Sequence, residues 1–579
     1  MNRSGLAAAV FAVAAQWACA AAGIVVHSAT TNGVEVRWFE EMVPMKDGTR
    51  LYTYGALPPE GETRGIVFAR NPYKAEKPVD MPAHAYSQLG ALARGYAYVY
   101  QHVRGTGMSE GAWTPYEDER EDGLAALEWL RRLPHYGGEL FLLGGSYGSS
   151  VHWSYLDTNP PDVKGAALAV QDVKRYNVAY RNGFFKIGLH GDWFVHGYHK
   201  KDKSLCRNRD VSFVDFPLAA FSRRYWGEGV PSLDNMLRHP RPDDPFWRSR
   251  EPGAGADYLD SVAKSTVPIL LRTAFYDIYT DGVCAMWRSM TPERRANCAL
   301  VIDAYDHGGR MAQWAKGTRG EFPGGSRADS AVSDLDWFDF CRTGRPVANA
   351  LPGRTRYYAL WENAWKSEPE LVDGARAVRL PLGKGAKAWT YDPRRPLPKF
   401  PGSGGICFGG MRLQPSPNFR DDVVSFVLPP LGERLDVRGR MEAELAVSSD
   451  CEDTCIYVRV SVDKGDGRWY LLRDDITSLS FAGGRYAPGE ERKVQFRFAD
   501  HAFRLEKGDV LRVDVASANS QFAPHPNVAG DAFSCADPKV AHNTVFPERS
   551  FLLLHVDADG ALRAEEGHGA SERAAEKPL

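Results

Sequence analysis

The sequence contains no long run of basic or acidic residues, and its charges almost cancel. Its 579 residues include 71 Lys and Arg and 73 Asp and Glu, a formal net charge of −2 at pH 7. Proteins that bind nucleic acid or anionic membranes electrostatically usually carry a basic patch or tail. Neither kind of partner is therefore favoured, and a small molecule is the expected ligand.

After the first 23 residues the chain also lacks an apolar segment long enough to span a bilayer, and it has no C-x-x-C pair. Without such a pair a zinc site is not expected. The cysteines beyond this segment are Cys206, Cys284, Cys298, Cys341, Cys407, Cys451, Cys455 and Cys535. An even count permits disulfides in an oxidising compartment, and Cys284/Cys298 and Cys451/Cys455 are close in sequence.

The N-terminal segment has the pattern of a secretory signal peptide over residues 1–22. One positive charge precedes an apolar stretch, Leu6–Ala18, and small residues continue to Gly23. An A-x-A cleavage site is expected within Ala18–Ala22. The apolar stretch is shorter than the roughly 20 residues that span a bilayer. The pattern predicts a secreted or periplasmic protein that does not associate with the membrane after cleavage.

Strands and helices alternate along the first part of the chain. Runs such as "GIVFARN" and "ELFLLGG" read as buried strands, and "EDGLAALEWLRRL" reads as an amphipathic helix. The alternation resumes at "STVPILLRTAFYD" and "NCALVIDAYDH". Such alternation predicts a parallel sheet covered on both faces, built from residues 23–173 and 261–352.

Two further regions have different patterns. Residues 174–260 are rich in aromatic residues, Arg and Pro without a clear strand, which predicts an inserted helical cap. Residues 353–562 show short alternating runs between Gly, Pro and Asp turns, which predicts a β-sandwich of jelly-roll type. The polar residues 563–579 are expected to be disordered.

The motif Gly144-Gly145-Ser146-Tyr147-Gly148 follows a predicted strand and precedes a predicted helix. A G-x-S-x-G sequence in this setting is typical of a nucleophile elbow, a sharp turn that exposes the serine hydroxyl. The pattern predicts Ser146 as a nucleophile. A serine hydroxyl is weakly nucleophilic at neutral pH, so it requires a base and an acid that orients that base.

Strand ends later in the chain supply both partners in the order Ser, Asp, His. Asp277 ends one predicted strand, and His307 follows the next. Asp281 is better suited to the start of the following helix, and the two aspartates just before the histidine lie too near it. Ser146, Asp277 and His307 are therefore the predicted catalytic triad.

An acyl-transfer site must also stabilise an oxyanion. One expected donor is the backbone N–H after the nucleophile, that of Tyr147. The second should come from the loop after an early strand, here "RNPYKAEKP", where Tyr73 is the natural side-chain donor.

The motifs "FARNPY", "HVRGTGMSEG", "GGSYGSS", "DPFWRSR", "FYDIYTDG" and "DHGG" together resemble those of the cocaine esterase-type (CocE/NonD) serine hydrolases. This superfamily includes α-amino-acid ester hydrolases, glutaryl-cephalosporin acylases and X-prolyl dipeptidyl peptidases. The resemblance implies an α/β-hydrolase fold with a helical cap and a C-terminal jelly-roll (galactose-binding-like) domain. It also implies the triad Ser146, Asp277 and His307, an oxyanion hole of Tyr73 and Tyr147, and no metal or organic cofactor.

The sequence departs from the family pattern at two places. His102 stands where the family usually has Asp, and Asp303-Ala304 stands where it usually has Gly-Pro. The amino-acid ester hydrolases hold a substrate ammonium with acidic residues. Asp243 and Asp244 could contribute to such a site, but a turn or helix start explains them better.

These observations predict a serine hydrolase that cleaves an ester or amide of a small molecule or short peptide through an acyl-enzyme, most simply an esterase or acylase. An X-prolyl dipeptidyl peptidase is the alternative within this class. A non-catalytic module that binds glycan or protein through its jelly roll is the alternative outside it.

Overall fold

The computed structural model describes residues 17–18, 24–59, 63–73, 78–197, 216–226, 229–249, 257–309, 311, 313–345, 352–395 and 411–558. Apart from a short strand at Trp17–Ala18, the predicted signal peptide lies outside these ranges, as does the predicted tail, residues 563–579. In the ranges given, no helix is both long and apolar enough to cross a membrane.

The first half of the hydrolase domain alternates strands and helices. Its strands are β1 (Trp17–Ala18), β2 (Val25–Thr31), β3 (Val34–Pro44), β4 (Arg50–Leu57), β5 (Ile66–Asn71), β6 (Ala97–His102), β7 (Leu140–Gly145) and β8 (Val163–Ala169). Its helices are α1 (Met81–Ser87), α2 (Leu89–Ala93), α3 (Glu119–Leu130) and α4 (Tyr147–Trp153).

The cap follows β8. It contains α5 (Arg175–Ala179), β9 (Tyr180–Arg181), β10 (Phe184–Phe185), α6 (Ile187–Gly197), α7 (Phe221–Trp226), α8 (Pro231–Arg238) and α9 (Leu259–Lys264). The expectation of a cap without strands is wrong at β9 and β10, which pair antiparallel. Asn182 and Gly183 form the two-residue turn with φ of 47° and 86°, the positive angles that a type I′ hairpin requires.

The second half of the hydrolase domain completes one large sheet. It contains β11 (Ile269–Tyr276), α10 (Thr280–Ser289), α11 (Pro292–Arg295), β12 (Ala299–Asp306), α12 (Asp334–Thr343), β13 (Thr355–Ala359) and β14 (Ala364–Glu368). The sheet has 12 strands in the order β1-β2-β3-β4-β6-β5-β7-β8-β11-β12-β13-β14. Its central strands, from β6 to β13, are parallel.

The central strands are apolar on both faces because helices cover the sheet from both sides. Phe68 and Leu142 are fully buried on one face, and Phe141 and Leu270 are fully buried on the other. The carboxyl ends of these strands meet at one edge, where open α/β sheets bind their ligands.

The C-terminal region is built from strands and one short helix. They are β15 (Arg376–Pro381), β16 (Lys387–Tyr391), β17 (Leu413–Gln414), β18 (Val424–Val427), β19 (Leu435–Gly439), β20 (Glu442–Ser449), β21 (Cys455–Asp463), β22 (Trp469–Ser478), α13 (Leu479–Gly483), β23 (Arg492–Arg497), β24 (His501–Leu505), β25 (Val510–Ala516), β26 (Ala541–Val545) and β27 (Phe551–Val556).

These strands form an eight-stranded and a five-stranded sheet. One buried apolar cluster contains residues of both, such as Leu552 of the first and Val460 of the second, as in a β-sandwich. The expectation that every strand after residue 353 belongs to this domain is wrong for β13 and β14. β13 pairs parallel with β12, so both strands extend the hydrolase sheet.

Six cysteines lie in the described ranges, and all six are free thiols. They include both pairs that are close in sequence, Cys284/Cys298 and Cys451/Cys455. The disulfides that the cysteine count permitted are therefore not formed at these positions.

Candidate active site

Ser146 sits on a strained turn between β7 and α4. Its φ of 55° and ψ of −127° are angles that non-glycine residues rarely adopt. A Cβ at Gly144 would lie 2.1 Å from the carbonyl oxygen of Gly148, and a Cβ at Gly148 would lie 3.0 Å from the Arg70 carbonyl oxygen. The two glycines therefore allow the turn to close against β5. The strain points to a functional residue at this position.

His307 and Asp277 meet at the ends of the neighbouring strands β12 and β11. The His307 Nδ1 atom lies 3.0 Å from the Asp277 Oδ1 atom, and the aspartate side chain is buried. Thr273 Oγ1 donates to Asp277 Oδ2 at 3.3 Å, and the Tyr279 N–H donates to Oδ1 at 3.2 Å. A carboxylate bonded to Nδ1 keeps the proton on that nitrogen, so Nε2 can act as a base.

Tyr73 lies across the turn from the serine. Its hydroxyl oxygen is 3.5 Å from Ser146 Oγ, and its N–H donates to Asn71 Oδ1 at 3.0 Å. Burial of the hydroxyl raises the pKa of Tyr73 to about 12, although hydrogen bonds with Ser146, the Tyr147 backbone and Trp193 act in the opposite direction. Tyr73 therefore remains a neutral donor at every pH used for enzyme assays.

Aromatic side chains from the hydrolase domain and the cap surround this turn. The Tyr147 ring lies 4.5 Å from the Tyr116 ring, 5.8 Å from Trp193 and 5.9 Å from Trp113, measured between centroids. Trp193, which the sequence placed in the cap, stacks on Tyr147 and thus closes one side of the site. Aromatic rings thus pack beside the Ser146 turn, and such side chains commonly line small-molecule sites.

A cavity of about 410 Å³ opens where the hydrolase domain, the cap and the C-terminal domain meet. Asp277 and Lys186 are among its lining residues. Arg181 of the cap binds Asp281 of α10 at 2.6 Å and Asp475 of β22 at 2.7 Å, which joins the three parts at its wall. Asp281, rejected above as the triad acid, serves in this ion pair.

The C-terminal domain also contacts the strand that ends in Asp277. Arg473 of β22 is buried and donates to the carbonyl oxygen of Phe275, two residues before the aspartate. Its other nitrogens donate to the carbonyl oxygens of Ala499 and Asp500. Asp500 in turn binds Arg288 of α10 at 2.8 Å. These contacts hold the end of β11 against the β-sandwich.

Two family models match the chain. The model for X-Pro dipeptidyl-peptidase (S15 family) matches residues 47–309. The model for the X-Pro dipeptidyl-peptidase C-terminal non-catalytic domain matches residues 349–546.

Curated relatives extend this match to most of the chain. Cocaine esterase of Rhodococcus sp. (strain MB1 Bresler) is 22% identical over 554 residues, covering 87% of this chain and 91% of the relative. A Mycobacterium bovis protein named as a serine esterase is 32% identical over 529 residues, covering 76% of this chain and 81% of the relative. The chain belongs to the cocaine esterase (CocE/NonD) family of serine hydrolases.

The solved structure of an α-amino acid ester hydrolase has a TM-score of 0.74 to this chain at 18% identity, covering 90% of this chain and 96% of the other. This likeness confirms the predicted fold class, an α/β-hydrolase with a cap and a C-terminal β-sandwich. Membership of the cocaine esterase family confirms that the chain is a serine hydrolase. This membership argues against the alternative of a non-catalytic binding module.

The two residues that depart from the cocaine esterase family pattern, His102 and Asp303, are both buried and hydrogen-bonded. His102 is fully buried, and its Nδ1 accepts from the Met108 N–H at 3.1 Å, so it supports the "RGTGM" loop. Asp303 Oδ1 accepts from the Tyr305 N–H at 3.0 Å, and Oδ2 accepts from Arg327 at 3.2 Å. Burial raises the pKa of Asp303 to about 6.

The acidic pair of the cap has a local structural role. Asp244 accepts from the Phe246 N–H at 2.9 Å and binds His239 at 2.8 Å, so it starts a short 3₁₀-helix. Asp243 is exposed beside Arg241. Neither contact resembles a site for a substrate ammonium, and the interpretation as a turn or helix start accounts for both residues.

Proposed function

We propose that the chain hydrolyses carboxylic esters through an acyl-enzyme formed on Ser146. In this mechanism His307 accepts the serine proton as the hydroxyl attacks the substrate carbonyl, and it returns the proton to the leaving alcohol. Asp277 orients the imidazole and stabilises its charged form. Water then attacks the acyl carbonyl and gives a proton to His307. His307 passes this proton to the Ser146 oxygen as the carboxylic acid leaves.

The Tyr73 hydroxyl and the Tyr147 N–H form the oxyanion hole of this proposal. The observation that carries it is the strained turn of Ser146 with the Tyr73 hydroxyl 3.5 Å from its Oγ. The bonded pair His307 and Asp277 at adjacent strand ends supports the same assignment. Donors fixed before the reaction stabilise the developing oxyanion without reorganisation.

An ester or acyl substrate is favoured over an X-prolyl dipeptide by the charges of the cap. A peptidase that requires a free substrate ammonium needs an acidic partner for it. In the described part of the cap, the Arg175 guanidinium lies 3.3 Å over the Tyr116 ring, and the Lys186 ammonium lies 5.8 Å over the Tyr279 ring. The buried Asp172 already accepts from the Lys174 N–H and from the Asn177 amide.

X-prolyl dipeptidyl peptidase activity is the second candidate because the S15 family model matches residues 47–309. Hydrolysis of p-nitrophenyl butyrate, phenylalanine methyl ester and Ala-Pro p-nitroanilide separates the candidates. We expect the first to be cleaved fastest. Faster cleavage of the anilide, with little turnover of either ester, would replace esterase by peptidase in this proposal.

A fluorophosphonate probe tests the nucleophile itself. Wild-type protein should be labelled at one site, and Ser146→Ala should not be labelled. Ser150→Ala is the matched control because Ser150 is a buried serine on α4, directly after the Ser146 turn, and its hydroxyl has no hydrogen-bond partner. Equal labelling of Ser146→Ala and wild type would refute the assignment.

We also propose export of the protein through its N-terminal segment, on the sequence pattern alone. N-terminal mass spectrometry of the protein from a secreting host should find a new terminus between residues 19 and 23. An intact Met1 in the secreted protein would contradict this.

A further inference from the structure

A buried carboxylate lies behind the nucleophile turn, and the mechanism above does not use it. Glu119, the first residue of α3, is 4% exposed. Its Oε1 accepts a hydrogen bond from the Tyr147 hydroxyl at 2.7 Å, and its Oε2 lies 3.5 Å from Arg70 Nη1. Buried carboxylates are rare unless they are paired and have a specific purpose.

The Arg70 end of this network leads to one of the proposed oxyanion donors. Arg70 is fully buried on β5, where it donates to Gln101 Oε1 at 2.8 Å and to the Glu119 carbonyl oxygen at 3.1 Å. The next residue, Asn71, accepts the N–H of Tyr73. The bonds of Arg70 therefore fix the strand end from which the Tyr73 loop leaves.

The Tyr147 end leads to the other donor. Besides donating to Glu119, the Tyr147 hydroxyl accepts from the Tyr116 N–H at 2.8 Å and from Trp113 Nε1 at 3.3 Å. A phenol has one proton and two lone pairs, so its hydrogen-bonding capacity is filled. Tyr116 has a φ of 72°, an outlier for a bulky residue, and its ring supports the Arg175 guanidinium. These hydrogen bonds hold the Tyr147 ring in place, and the ring in turn fixes the position of the Tyr147 backbone N–H.

We propose that Glu119 is a positioning residue for the oxyanion hole, which it holds through Tyr147 on one side and Arg70 on the other. This inference rests on the function proposed above. A donor must lie 2.7–3.1 Å from the oxyanion to stabilise it. Loss of the network displaces the donors from the transition state more than from the bound substrate, so kcat falls while KM changes little.

The charge of Glu119 gives the network a pH dependence. Burial raises the pKa of Glu119 to about 7, while Arg70 and the Tyr147 hydrogen bond act to lower it. The ionised Glu119 carboxylate attracts the Arg70 guanidinium electrostatically, and protonation of Glu119 weakens this attraction. The titratable and charged groups that face Glu119 from the surrounding elements are Arg70, Tyr116, Asp118, Asp122, Tyr147 and Tyr155. Activity should therefore fall as the pH drops through about 7, as Glu119 takes up a proton.

Two variants test the link. Tyr147→Phe removes the hydroxyl but keeps the ring and the backbone N–H, and Glu119→Gln removes the charge. Active sites are counted with the fluorophosphonate probe, and p-nitrophenyl butyrate hydrolysis is followed from pH 5 to 9. We expect each variant to lower kcat per titrated site about tenfold with KM within twofold. The double variant should be no worse than the poorer single variant, because both remove the same link.

Tyr136→Phe is the matched control. Tyr136 donates to Asp162, which also binds Arg131 at 2.7 Å, so it repeats the tyrosine, carboxylate and arginine arrangement. Tyr136 precedes the amino end of β7, whereas Ser146 follows the carboxyl end of the same strand. The kcat of Tyr136→Phe should therefore equal that of the wild type.

In the pH profile, the wild type should lose activity through about pH 7, and Glu119→Gln should lack this ionisation. Unchanged kcat per titrated site in Tyr147→Phe, or additive effects in the double variant, would overturn the inference. If Glu119→Gln does not fold, the kcat per titrated site of Tyr147→Phe alone decides whether the link exists. A wild type that does not react with the probe would instead refute the proposed function.

Discussion

The Tyr73→Phe variant gives a direct measure of the proposed oxyanion hole. The change removes one oxygen, which lies 3.5 Å from Ser146 Oγ, and leaves the ring in place. Removing one side-chain donor from an oxyanion hole typically lowers kcat by about 10²–10³, or about 2.7–4 kcal/mol of transition-state stabilisation. Tyr73 is half exposed although its hydroxyl is buried, so the free energy of unfolding should change by no more than about 1 kcal/mol.

The raised pKa of Tyr73 makes the expected loss independent of pH. Because this pKa is about 12, the hydroxyl is protonated throughout the range from pH 6 to 10. The assay is steady-state hydrolysis of p-nitrophenyl butyrate, with active sites counted by the fluorophosphonate probe. KM should change little, because the donor acts on the transition state.

Tyr86→Phe on α1 is the matched control, since Tyr86 is a partly exposed tyrosine outside the site. A loss of kcat below threefold in Tyr73→Phe would refute the role of the hydroxyl. So would a loss that appears in KM with kcat unchanged.

Four further changes have defined outcomes. Asp277→Asn should keep the fold by circular dichroism and lower kcat by about 10⁴ in the ester assay, because the wrong histidine tautomer is favoured. Arg473→Met leaves the Phe275 carbonyl without this donor and should cost about 1–3 kcal/mol in urea unfolding, with reduced kcat. Leu142→Ala, at a fully buried position of β7, should cost about 2–5 kcal/mol in the same measurement with no new pH dependence. Because the pKa of Glu119 is raised from 4.5 to about 7, its contribution to stability is present below about pH 4.5 and is lost as the pH rises through about 7. Melting curves of Glu119→Gln should lack this part of the pH dependence.

The positions of the candidate residues could be predicted because each lies beside a local sequence signal, such as a glycine-flanked serine or the end of an apolar strand. The glycines around Ser146 and the strand-end positions of Asp277 and His307 are visible in the order of the sequence. The α/β pattern then brings these positions to one edge of the sheet, since parallel strands point the same way. Their catalytic roles stay predictions until the variants are measured.

Other features depend on contacts that no local pattern carries. Glu119 looks like an ordinary acidic residue in the first turn of a helix, where carboxylates favour the dipole. Only the packing of α3 against α4 gives it Tyr147 as a partner. Strands β13 and β14 have the same alternation as the β-sandwich, and alternation does not specify which sheet a strand joins. The cap hairpin had a signal, the dipeptide Asn182-Gly183, which favours a two-residue turn even between very short strands.

The hydrogen bond from Arg473 to Phe275 also bears on when activity appears during biosynthesis. The two residues are 198 positions apart, and the carbonyl lies on the strand that ends in the proposed catalytic acid. A ribosome completes the hydrolase domain and every residue of the proposed triad well before it reaches β22. The nascent chain therefore lacks this support for the acid until the β-sandwich has been synthesised and has folded against it. We therefore expect a translation product that stops short of β22 to contain the proposed catalytic groups but to lack this contact beside Asp277.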